Sequence, residues 1–253
     1  MADNLSNEAF SYLEGIISLT AAISAKNRNI INVYIDKAKH EKRDRKITHL
    51  ISVLKKEAVP FTLCERDIID SLCQSSSHGG VIAKVSPYKY TELSELITEI
   101  KEQGYGVMLD GVEDPYNFGY AIRNLFAFGC KSFIIPQRNW MSASNVVATS
   151  SAGASELCRM SVADSDAALI KVLKENGIEI VCSALSSSSV SLYNFKPERP
   201  FVLFIGGEKR GISKDFMENA DKVVHIPYAN ENAKYSLPTA SCAAIFGSYL
   251  SSL

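Results

Sequence analysis

Three stretches of this 253-residue sequence place side chains that can do chemistry beside turns that could present them. The first, 109–129, reads Leu-Asp-Gly-Val-Glu-Asp-Pro-Tyr-Asn-Phe-Gly-Tyr-Ala-Ile-Arg and onward: strand, polar turn, helix. Asn117 falls at the helix start, where its amide can cap or hold a neighbour. Arg123 follows inside an otherwise apolar helix, and a guanidinium there needs an anion or a carbonyl. A structural ion pair and a bound substrate both meet that need. The second stretch, 201–213, runs a buried strand into a turn carrying Gly206, Gly207 and Gly211. It is not a phosphate loop, because Ile212 stands where lysine is required, and it lacks the dinucleotide fingerprint. Its glycines let a ligand approach the backbone, and Glu208 can accept from a helix start or an arginine. The third, 224–245, ends a strand at Ile226-Pro227 and continues as a polar loop. Ser236 is placed to cap the last helix, with Pro238 in its first turn. That helix is rich in small residues from Ala240 to Ala244, which suits close packing.

The elements around these stretches alternate. Apolar periodicity predicts helices over 8–25, 45–57 and 65–73, with strands near 30–35, 61–63 and 81–85. This is a small α/β unit. After a linker-like Ser86-Pro-Tyr-Lys-Tyr90, a helix ends at Gly104. A longer alternation then has strands near 106–110, 132–135, 178–182, 201–205 and 223–226. Its helices lie near 117–128, 144–152, 165–176 and 236–251. Strands separated by helices imply a parallel sheet covered on both faces, and ligands in such sheets sit beyond the carboxyl ends of the strands.

Composition narrows the class. Hydrophobic residues make up 46% and charged residues 22%, which excludes general disorder. No apolar run is long enough to span a membrane, and the polar, acidic first ten residues do not read as a signal peptide. The expectation is a soluble, cytoplasmic protein. The six cysteines form no C-x-x-C pair and read as reduced, mostly buried thiols; the four histidines have no ligand spacing, so no metal is expected. The net charge of −1 hides an asymmetry: residues 26–56 hold ten Lys/Arg against three acids, a local +7. Such a patch is either a footprint for a polyanion or a solvated helix face.

Together, in this order, the three stretches resemble the motifs of the SpoU (TrmH-like) RNA ribose 2′-O-methyltransferases: D-G-V-x-D-P-x-N-x-G…I-R, then G-x-E-x-x-G, then I-P…S-L-N. The N-terminal unit is similar to that family's ribosomal-protein-like RNA-binding domain, and His78-Gly-Gly-Val-Ile-Ala83 resembles the H-Q-G-[VI]-x-A that closes it. The resemblance implies domains of 1–86 (RNA substrate binding), 87–104 (linker and helix) and 105–253 (methyltransferase). It implies an α/β SPOUT sheet with a deep trefoil knot, a rare topology, and a homodimer, for which the small-residue last helix would suit the interface. S-adenosylmethionine would bind in the knot, through Gly206, Gly207, Gly211, Ile226 and Leu237. No metal is implied. Asn117, Arg123, Glu208 and Ser236 would form the catalytic set. Arg123 would bind and polarise the ribose or its phosphate, and Asn117 and Glu208 would hold it and the cofactor loop. Structured RNA is the implied substrate, ribosomal RNA ahead of transfer RNA. Arg28, Lys37, Lys39, Lys42, Arg43, Arg45 and Lys46 would position its phosphates.

The sequence departs from the pattern. Pro238 replaces the usual Asn and brings neither amide nor backbone donor; Asn230 and Asn232 are the candidates to supply what is lost. Tyr116 and Tyr120 replace smaller residues, and either stack on bases or pack. The competing reading is a non-catalytic RNA-binding protein that keeps the fold.

Overall fold

The computed structural model describes residues 10–73, 78–136, 144–230 and 235–253. In chain order the elements begin β1 (Ser11–Glu14), α1 (Gly15–Ala25), β2 (Ile30–Asp36), α2 (Lys37–Glu41), α3 (Arg45–Lys56), β3 (Phe61–Cys64), α4 (Arg66–Leu72) and β4 (Val81–Val85). They continue α5 (Leu93–Gln103), β5 (Tyr105–Asp110), α6 (Pro115–Ala127), β6 (Ser132–Pro136), α7 (Ser144–Ser150), α8 (Ala154–Leu157), β7 (Arg159–Ala163), α9 (Asp166–Glu175) and β8 (Glu179–Ser183). The last are β9 (Val190–Ser191), β10 (Phe201–Gly206), α10 (Lys214–Glu218), β11 (Lys222–His225) and α11 (Thr239–Leu250).

The first of two compact units takes residues up to 89 together with 142–157. Its sheet has the order β1-β4-β2-β3. β4 pairs antiparallel with β1 and β2, while β2 and β3 run parallel. The helix expected over 8–25 begins only at Gly15, because Ser11–Glu14 is extended and pairs with β4. The apolar pattern of Tyr12 and Leu13 serves either shape, and the long-range pairing decides. In α3, Ile47, Leu50, Ile51 and Leu54 form the buried stripe of an amphipathic helix. Two aspartates start the basic helices: Asp36 accepts from the Ala38 and Lys39 amides, Asp44 from those of Lys46 and Ile47.

The segment 142–157 enters this unit from the middle of the chain, although the sequence reading placed it with the C-terminal domain. α7 and α8 pack on α1. A buried ion pair joins them to β2's approach: Arg28 Nε lies 2.8 Å from Glu156 Oε2 and Nη2 lies 3.2 Å from Oε1.

The second unit, 90–141 with 158–253, is a seven-stranded sheet of order β7-β6-β5-β10-β8-β11-β9. Every neighbouring pair is parallel, as strands separated by helices require. Val202 and Phe204 of β10 join Leu96, Ile100, Leu169 and Phe216 in one core, so α5, α9 and α10 cover one face. By alternation Leu203 and Ile205 face the other side, where α11 contacts β10. The small residues of α11 let it lie against α6 in the same chain: Asn124 donates to the Ala240 carbonyl at 2.8 Å, and Gly247 meets the Phe128 ring. Among the described residues no helix is long and apolar enough to cross a membrane.

Candidate active site

The three motif stretches converge where β5 and β10 end. Gly206 stands in register with Asp110, and the Gly207 amide donates to the Asp110 carbonyl at 2.7 Å. The buried Asp110 carboxylate accepts from the Ser213 amide, also at 2.7 Å. Gly207 and Gly211 bridge across the turn between them. A Cβ on Gly207 would fall on the Gly111 carbonyl, and one on Gly206 would come within 2.8 Å of the Gly211 carbonyl carbon. The glycines of the second motif are therefore used by the chain itself, to let two loops touch backbone to backbone.

α6 starts two residues before the expected position. Asp114 caps it, accepting from the Tyr116 amide at 2.7 Å, and Pro115 occupies its first position. Asn117 thus sits in the first turn, and its Nδ2 donates to Glu208 Oε1 at 3.3 Å. Two of the predicted catalytic residues, 91 positions apart, meet directly. Arg123 is exposed rather than enclosed by apolar neighbours, and it has no ion-pair partner among the described residues. Its solvated face of α6 relieves the need for a partner inside the chain. Tyr116 and Tyr120 are 54% and 45% exposed, so neither ring is core packing of this chain.

The third motif needs one correction. Ser236 is exposed and caps nothing, because α11 begins at Thr239 with extended Pro238 in the cap position and no side-chain cap. The hydroxyl that ties this motif down is Thr239 Oγ1, buried and donating to the Gly206 carbonyl at 3.0 Å. A hydroxyl residue directly after a proline was the available signal.

Beside this junction a cavity of about 680 Å³ opens beyond β8 and β11, the expected end of a parallel sheet. Ile226, Pro227, Tyr228, Asn230, Ser236 and Leu237 contribute to its wall. Two of the five predicted cofactor residues, Ile226 and Leu237, line it; Gly206, Gly207 and Gly211 do not. Its size and largely apolar wall fit a nucleoside cofactor held by a few backbone groups. The Leu237 amide donates to the Tyr228 hydroxyl at 3.1 Å. Asn230 stands at this wall, whereas Asn232 lies outside the described residues. Among the described residues no three His, Cys, Asp or Glu side chains group as a metal site.

In the first unit the basic set separates. Lys42, Arg43, Arg45 and Lys46 are exposed. Lys37 is exposed and lies 3.9 Å from Glu41 and 3.8 Å from Glu65. Lys39 donates to the Gly79 carbonyl at 2.7 Å. Arg28 does not belong with them. It is buried against Glu156, donates to the Ser86 carbonyl at 3.2 Å and lies over the Tyr88 ring, so it has no face left for phosphate.

Residues 104–247 match the family described as SpoU rRNA Methylase, and residues 12–91 match the family described as RNA 2′-O ribose methyltransferase substrate binding. The 23S rRNA (guanosine-2′-O-)-methyltransferase RlmB of Photorhabdus laumondii is 27% identical over 92% of this chain and 94% of its own. RlmB of Escherichia coli K12 is also 27% identical, over 92% and 95%. Among solved structures, the SpoU methyltransferase AviRb from Streptomyces viridochromogenes superposes with a TM-score of 0.77 at 18% identity, covering 96% of this chain and 89% of that one. An AdoMet-bound rRNA methyltransferase from Sinorhizobium meliloti gives 0.74 at 19% identity, covering 95% and 86%. These structural likenesses establish the fold, and the sequence match over more than half the length establishes that the chain belongs to the SpoU rRNA methylase family.

Proposed function

We propose that this protein transfers a methyl group from S-adenosylmethionine to a ribose 2′-hydroxyl of ribosomal RNA. The observation that carries the reading is the junction at the strand ends. There the Asn117–Glu208 contact and the Gly111–Gly207 backbone contact stand beside a cavity of nucleoside-cofactor size. When bound, the cofactor would supply an electrophilic methyl on a sulfonium, whose sulfur becomes a neutral thioether as the 2′-oxygen takes the methyl and the hydroxyl proton passes to solvent. The chain's work is then alignment and activation of a weak nucleophile. Ile226 and Leu237 hold the cofactor in the cavity. Arg123, exposed and without an ion-pair partner among the described residues, binds and polarises the ribose or its phosphate; a guanidinium stays charged and is not itself the base. Glu208, held by Asn117, keeps the second motif against α6. Ser236 contributes a hydroxyl from the cavity wall.

The fold's deep knot, an N-terminal RNA-binding domain of 1–86 joined by 142–157, a catalytic domain made of the rest of 105–253, a homodimer and a cytoplasmic location belong to the same proposal. The two matched families support the division of roles between the domains, and the bacterial rRNA methyltransferase relatives support the location. The test is calorimetric titration with S-adenosylmethionine and S-adenosylhomocysteine, followed by labelled-methyl transfer to ribosomal and transfer RNA from cells lacking the protein. Binding with transfer to ribosomal RNA is expected; transfer to transfer RNA alone would replace the substrate. A second reading, a non-catalytic RNA binder, is favoured by Pro238 and by the engagement of the Leu237 amide with Tyr228. RNA binding without cofactor binding would establish it.

A further inference from the structure

The first unit contains a second cavity, of about 800 Å³. Lys39, Arg45 and Lys46 line it together with the apolar Ile16, Ile17 and Ala152. Two carboxylates, Glu14 and Asp44, share the lining. Asp44 is committed to capping α3. Ile17 remains 66% exposed at this basic rim. The walls are held in place. Asp36 and Asp44 cap α2 and α3, Lys39 is tied to the Gly79 carbonyl, and buried His78 is fixed between Asp70 and the Gly80 amide.

We propose that this cavity takes one unstacked nucleotide of the RNA, its phosphate on the Lys39–Arg45–Lys46 rim and its base against Ile16 and Ile17. The inference rests on the reading of the chain as an RNA methyltransferase and adds where the RNA is read. A phosphate alone would leave most of the volume and the apolar wall unused. A nucleotide uses both, and cavities of this size suit small organic ligands. Lys42 and Arg43 are exposed in the turn directly before α3. They extend the positive charge further than a free mononucleotide needs, as continuing RNA phosphates would require. Proteins read RNA sequence mainly at such splayed-out bases.

The test uses the full-length protein and three probes: the four nucleoside 5′-monophosphates, a fully paired RNA hairpin, and the same hairpin with one bulged nucleotide. The bulged hairpin is expected to bind roughly tenfold tighter than the paired one, the order of discrimination that one base supplies at a specific site. Ile17→Trp, which fills the cavity without changing charge, should erase that difference and leave the salt dependence intact. Ile17→Ser should reduce it without adding bulk, which covers the case in which the tryptophan variant fails to fold. Arg45→Glu with Lys46→Glu should weaken both hairpins and flatten the salt slope by about one to two. Equal binding of the two hairpins, or a bulge preference that survives in Ile17→Trp and Ile17→Ser, would overturn the proposal. Monophosphates binding as tightly as the bulged hairpin would overturn it too, in favour of a free nucleotide. Cofactor titration and methyl transfer on the same preparations separate the two readings. Lost bulge preference with intact transfer removes only the cavity, and absent transfer with intact preference removes only the enzyme.

Discussion

Arg123 and Tyr228 make the most direct demands on the proposed chemistry. The arginine stands on the exposed side of α6 with no ion pair among the described residues, so nothing in the described fold depends on its charge. Arg123→Ala should therefore lower kcat by about 10²–10³, the loss typical of one removed electrostatic donor. Thermal stability and cofactor affinity should stay at wild-type values. Turnover of labelled methyl groups beside a melting curve checks this, and wild-type turnover would remove Arg123 from the reaction. Tyr228 raises the opposite question, because its hydroxyl accepts from the Leu237 amide at the cavity wall. If the cofactor needs that amide, it must displace the tyrosine first. Tyr228→Phe should then tighten S-adenosylhomocysteine binding by roughly two- to tenfold, the worth of one net hydrogen bond. Unchanged or weaker binding by calorimetry would mean that the tyrosine supports the site.

Helices, strands and loops explain what could be read in advance. The stripe of α3 and the parallel sheet followed from local chemistry and periodicity, and the strand-turn-helix form of the first motif was legible. The meeting of Asn117 and Glu208 came through motif resemblance, since no local signal spans 91 residues. Arg28 was misread for the same reason. Its partner Glu156 lies 128 positions away on α8, and a charge count over 26–56 treats every cation as solvated. Burial makes the pair a stability element: both side chains are 2% exposed. Glu156→Ala leaves a guanidinium buried and unpaired, which should cost about 3–5 kcal/mol. Replacing both, Arg28→Met with Glu156→Leu, should recover most of that loss. Urea midpoints of the single and double variants decide it, and a single variant within error of wild type would show that water reaches the site. Gly207 was read as a ligand-facing glycine, and only the fold reveals that the Gly111 backbone occupies its missing Cβ.

At the scale of the whole molecule, buried thiols and a phenol of the second unit make folding sensitive to alkaline pH. In the second unit, burial pushes the Cys130 and Cys182 thiols up to about 12, the latter also by the Asp110 carboxylate, and Tyr105 up to about 12. All six cysteines are free, so no disulfide masks the effect. The sign follows from proton counting. Above about pH 9 an unfolded thiol loses its proton while the folded one keeps it, so the folded state binds more protons and stability falls as pH rises. The contribution is fully present below the unfolded thiol value and is lost progressively between about pH 9 and pH 12. At about pH 10.5 each buried thiol should weaken folding by roughly 2 kcal/mol. Cys130→Ala with Cys182→Ala should therefore begin less stable at neutral pH, from lost packing, yet show a shallower fall on the alkaline side. Chemical denaturation from about pH 7 to pH 10.5 measures both slopes. Parallel slopes would mean that these thiols open to solvent without unfolding, and a thiol reagent would then label them in the native protein.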